Sequence, residues 1–144
     1  MDPAAKQNDR RTPLHKAVAW GHLHLARFLV EHGVDATAQS EDRETPLHGA
    51  SLYGYLDIAW FLIEHGADVA AQKKDRWTPL HEVSLRGHLD LARFLVKHGA
   101  DVAAPNKDRE TPLHLASGRH LHLARFLVEH TQNKYGKTQL DEAS

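Results

Sequence analysis

A chain of 144 residues, with 41% apolar and 26% charged side chains, is long enough for one domain with its own core. Its formal net charge of −1 gives no global pull toward nucleic acid or anionic membrane, and the absence of cysteine excludes disulfides, thiolate metal sites and cysteine nucleophiles. No apolar run approaches the roughly 18 residues of a spanning helix, and residues 1–9 are polar, without the apolar stretch of a secretory signal. The expectation is a soluble chain without a membrane partner, cytoplasmic if natural.

The first predicted helix opens at Thr12, whose hydroxyl suits an N-cap, with Pro13 at the first helical position, where no N–H is needed. Leu14, Ala17 and Val18 then form one apolar face, and Gly21 lets the chain turn. A second helix follows, apolar at Leu23, Leu25, Ala26, Phe28, Leu29 and Val30. Its polar stripe of His24, Arg27 and Glu31 is narrow, which predicts a helix packed on most sides. Gly33 stops it, and residues 34–44 read as a loop or hairpin.

This unit returns. Thr-Pro-Leu-His begins at residues 12, 45, 78 and 111, a constant step of 33. The run Leu25-Ala26-Arg27-Phe28-Leu29-Val30-Glu31-His32 recurs over residues 91–98 with one change, and over 123–130. One such unit cannot bury its own apolar faces, so the repeats must stack as a solenoid. The period, the Thr-Pro-Leu-His-x-Ala motif at 12–17 and 45–50, and His-Gly-Ala-Asp-Val at 65–69 and 98–102 resemble ankyrin repeats. The expected fold is all-α: repeats at about 6–38, 39–71, 72–104 and 105–131, then a partial cap at 132–144. The resemblance implies antiparallel helix pairs, hairpin fingers and a concave face that recognises proteins. The repeats are unusually alike, which is similar to consensus-style engineered ankyrin binders. An excised piece of a natural array and a scaffold without a partner are the alternatives.

Positions that differ between copies are free to report a partner. Just before each Thr stand Arg11, Glu44, Trp77 and Glu110; four before it, Asn8, Glu41, Lys74 and Lys107. Seven after it come Ala19, Leu52, Leu85 and Gly118, and eight after it Trp20, Tyr53, Arg86 and Arg119. In the ankyrin family these finger and helix-end positions line the concave face. Trp, Tyr and Arg dominate binding energy most often. The candidate protein-binding residues are therefore Trp20, Glu44, Leu52, Tyr53, Lys74, Trp77, Leu85, Arg86 and Arg119, with packing on the next repeat as the lesser alternative for Leu52 and Leu85. In repeat 2, Trp60 replaces an Arg and Tyr55 a His, a secondary candidate cluster expected on the convex side.

Arg10, Arg43, Arg76 and Arg109 each follow an Asp at the finger tip, where ankyrin repeats mostly have Gly. A basic ridge, in which Arg43 and Arg76 are secondary contacts, and an Arg–Asp ladder between fingers are both open, with the ladder expected. Eleven of the thirteen histidines fall in repeat columns, and the family implies structural hydrogen bonds for His15, His48, His81 and His114. The pairs His22/His24 and His120/His122 lack further zinc ligands. Columns along a solenoid do not converge as catalysis requires, so no enzyme, metal or cofactor is expected. Nucleic acid is not expected either, because Asp accompanies every finger Arg. Repeat 4 is one residue short around 118–120, which predicts a distorted turn. Weak end caps predict a monomer or weak end-to-end association, with apolar surface on repeat 1.

Overall fold

The computed structural model describes residues 10–131; the expected C-terminal cap and the segment before Arg10 lie outside them. Eight helices follow in pairs: α1 (Pro13–Ala19) and α2 (Leu23–Glu31), α3 (Pro46–Tyr53) and α4 (Leu56–Glu64), α5 (Pro79–Arg86) and α6 (Leu89–Lys97), α7 (Pro112–Ala116) and α8 (Leu121–Thr131). The first helices stack as one row and the second helices as another. Contact is closer within the first row, so the stack curves around it and places it on the concave side.

Each first helix begins with the same reciprocal cap. The Thr12 hydroxyl accepts from the His15 backbone N–H at 3.3 Å, and Nδ1 of His15 accepts from the Thr12 N–H at 3.0 Å. An accepting Nδ1 leaves the proton on Nε2. Nε2 then donates across the repeat boundary: His15 to the Glu44 carbonyl at 2.8 Å, His48 to Trp77 at 2.9 Å, His81 to Glu110 at 3.0 Å. The cap and the inter-repeat bond thus share one neutral imidazole. Leu14, Leu47 and Leu80, all fully buried, close the core beside it.

The other histidine columns are structural as well. His32, His65, His98 and His130 each bond through Nδ1 to the carbonyl of the Phe four residues earlier, at 2.8–3.0 Å, and lie against its ring. His88 donates to the Leu52 carbonyl and His120 to that of Leu85, both at 3.0 Å. Their rings lie over Gly54 and Gly87, where an added Cβ would clash with Nδ1. Both glycines are left-handed, at φ 76° and 82°, so steric room and backbone angle both require Gly.

Two expectations change. The second helix of repeat 1 is not packed on most sides: Phe28 is 55% exposed and Leu25 is also exposed, whereas their counterparts Phe61, at 8%, and Ile58 are buried. Arg27 of α2 lies over the Phe61 ring, so each second helix is covered from the repeat before it. The finger arginines do not form an Arg–Asp ladder. Among the described residues none of the four makes an ion pair, and the fingers are joined instead through backbone bonds, Lys74 N–H to the Asp42 carbonyl at 2.7 Å and Lys107 N–H to that of Asp75 at 2.8 Å. The arginines do hold the left-handed angle, φ 61–65°, at a cost of about 1–2 kcal/mol each. The short fourth repeat ends α7 at Ala116 after five residues.

Burial pushes the His48 imidazole down from 6.5 to about 4, against the opposing pull of its bond to Trp77, and burial lowers His81 too. The unfolded chain therefore takes up these protons first as pH falls. Stability is full above about pH 6.5 and is lost as pH falls from there toward about 4, by on the order of 3 kcal/mol for His48. Thermal melts should show a plateau near neutrality and a fall of several degrees by pH 5; equal melting temperatures at pH 7.5 and 5 would contradict this.

Candidate functional site

Fingers 2, 3 and 4 are tight turns closed by the same backbone bonds, and in two of them one side chain adds to the closure. In finger 2, Ser40 Oγ accepts from the backbone N–H groups of Asp42 and Glu44, both at 3.2 Å. In finger 4, Asn106 Oδ1 does the same for Asp108 and Glu110, both at 2.9 Å. Finger 3 has Lys73 at this position, which offers no acceptor. Its chain closes through a 3₁₀ turn at Lys74–Arg76, with Asp75 left-handed (φ 64°) besides Arg76. The Lys73 and Trp77 backbones pair across it.

With its acceptor role gone, Lys73 turns inward and pairs with Glu82, a carboxylate only 5% exposed on α5. Neither residue is among the sequence candidates. The signal was present: Lys73 breaks the Ser40/Asn106 column and Glu82 breaks the Lys16/Gly49/Leu115 column, with opposite charges in one repeat.

Finger 2, finger 3 and α5 border an open cleft of about 340 Å³, lined by Glu44, Lys74, Trp77 and Leu85 together with Asp42, Lys73, Asp75 and Glu82. Four of the nine candidates thus meet in one place, from two repeats. Trp77 is half-buried, with its ring tilted on that of His81 at 5.4 Å, while its carbonyl takes the His48 bond. Leu85 is exposed. Glu44 is held by Arg11 at 3.4 Å, which neutralises it in part.

The other five candidates stand at the ends of the first helices. Trp20 caps α1 and is 63% exposed, Tyr53 ends α3 and is 50% exposed, and Leu52 beside it is half-buried. Arg86 ends α5, and Arg119 follows α7; both are exposed. Tyr55 and Trp60 do not form the expected joint cluster. Tyr55 packs over Gly21, as the histidines do over later glycines, and its ring neighbour is Tyr53 at 5.8 Å. Trp60 lies out on α4, exposed; its indole N–H donates to Glu64 at 2.6 Å, and its ring is tilted toward that of Phe94, 6.1 Å between centres.

Among the described residues no three His, Asp or Glu side chains group as metal ligands, and no helix is long and apolar enough to cross a membrane. The family model "Ankyrin repeats (3 copies)" matches residues 1–73 and again 69–138, nearly the whole chain. The chain belongs to the ankyrin repeat family. Ankyrin repeats are generally protein–protein interaction modules and typically non-enzymatic. No curated protein matches this ankyrin chain.

Removing one member of a buried ion pair strands the other charge at about 3–5 kcal/mol in a fully buried site. Lys73 is partly exposed, so Lys73→Ser should destabilise by about 2 kcal/mol, and Lys73→Ser with Glu82→Ala should recover most of it. Denaturant unfolding of the two single variants and the double checks this. Additive losses would mean that the pair is not coupled.

Proposed function

We propose that this ankyrin domain binds a protein partner through the concave side, with the cleft at Trp77 as its anchor. The observation that carries the reading is the cleft itself, where Glu44, Lys74, Trp77 and Leu85 meet although none of their side chains recurs through all four repeats. Trp77 is pre-set by its contact with His81, so little rotamer freedom is lost on binding. Leu52, Tyr53, Trp20, Arg86 and Arg119 extend the contact along the ends of the first helices. A standard interface of about 800 Å² per partner spans both regions.

The Trp60 surface is a separate patch on the second-helix row and is left out of the anchor. Near-identity of the repeats outside the divergent columns supports an engineered or altered scaffold onto which a binding face has been placed. The free chain is a monomer or associates weakly end to end; the exposed Leu25 and Phe28 on α2 support the latter.

Calorimetry against a protein ligand selected on the wild-type chain tests the reading. Trp77→Ala should weaken binding by about 2 kcal/mol, roughly 30-fold, at unchanged helicity. Trp60→Ala should leave affinity within about twofold. Full affinity in both Trp77→Ala and Trp20→Ala would reject the concave face.

A further inference from the structure

The four finger-tip arginines remain unused by the fold. Arg10, Arg43, Arg76 and Arg109 are exposed, share φ 61–65°, and so leave the backbone in the same way at every repeat. Among the described residues none makes an ion pair. The Asp42 and Asp75 carbonyls carry the bonds between fingers 2, 3 and 4, which hold those arginines at a set spacing. The Asp75 carboxylate faces Lys107 at 3.9 Å rather than an arginine. Gly would relieve the backbone at every tip, so the arginine side chain must return something that the fold does not.

Between the tips run open grooves. Arg10 and Arg43 line one of about 860 Å³. Arg43 and Arg76 line the next, of about 920 Å³, with Lys73, Lys74 and Lys107 beside them. The first groove also carries Asp35 and Glu41, and the second Glu41, Asp42 and Asp75. A nucleic-acid strand brings a phosphate at every step and would set some of them against these carboxylates. A peptide can place carboxylates opposite the arginines and neutral residues between them.

Helices packed in a row lie about 8–10 Å apart, which sets the step from one arginine to the next. An extended polyproline-II segment advances about 3.1 Å per residue and presents the same side every third residue, a step of about 9 Å. A β-strand turns its side chains to the opposite face at that interval. We propose that the finger-tip arginines form a ridge that recognises an extended acidic protein segment with carboxylates at every third residue. The proposal rests on the reading of this chain as a protein-binding module and adds a second line of contact to the Trp77 cleft.

Two acidic peptides of about 15 residues, of equal charge, test the spacing: repeated Glu-Pro-Ala, and the same residues with every Glu at one end. Neither has a large apolar side chain for the cleft, so the outcome does not depend on Trp77. NMR titration should show the spaced peptide shifting the Nε–H signals of Arg43 and Arg76. The clustered peptide should bind about fivefold more weakly or worse, and so should the spaced peptide to Arg43→Gly/Arg76→Gly, since exposed pairs contribute modestly each. That variant should melt no lower than wild type, because Gly accepts the left-handed angle. Absent binding, equal binding of both peptides, undiminished binding to the glycine variant, or tighter binding of a single-stranded oligonucleotide of equal charge would overturn the ridge. Failure of the module reading looks different: full partner affinity in Trp77→Ala, whatever the peptides do.

Discussion

The stack depends on one hydrogen bond, from a buried neutral histidine to a carbonyl one repeat ahead. His15, His48 and His81 each use Nδ1 to close their own helix cap and Nε2 to hold the next finger. Burial makes the charged form of His48 and His81 unfavourable, so at these two both bonds are present together at neutral pH. An exposed imidazole would exchange these partners for water at little cost. A buried one cannot, which makes the bond a constraint on register rather than a small addition to stability.

The accepting carbonyls belong to Glu44, Trp77 and Glu110, the residues just before each Thr. Their main chains serve the fold while their side chains are free to differ. Recognition can therefore change from repeat to repeat without disturbing the stack. Trp77 shows the division most clearly: its carbonyl is tied to His48 and its ring lines the cleft. The arginine tips add a second layer, because their backbone strain is repeated at every finger with no ion pair to offset it.

Features set by local rules were legible in the sequence. Thr caps, Pro at the first helical position, the turn at Gly21, the stop at Gly33 and the shortened fourth repeat all follow from residues a few positions apart. The arginine at each finger tip, where the family mostly has Gly, marked a turn, and its left-handed angle comes from the structure. What was not legible depends on contacts between repeats or across a turn. The Arg–Asp ladder failed because the finger backbones bond to one another directly. Tyr55 was drawn away from Trp60 by the space above Gly21. The Lys73–Glu82 pair went unread because nothing local links a finger residue to a helix face nine positions on. The exposure of Phe28 follows from which neighbour covers a second helix, and a single repeat does not reveal that direction.

The most direct measurement is a long-range nitrogen–proton NMR spectrum of the imidazoles, followed from pH 7 downward. His15, His48 and His81 should appear as neutral rings with the proton on Nε2, and His48 should stay so through pH 6 and 5, titrating only near 4. A proton on Nδ1, a mixture of the two tautomers, or protonation of His48 close to 6.5 would show that the histidines do not bridge the repeats, and that the carbonyl of Trp77 is held by something else.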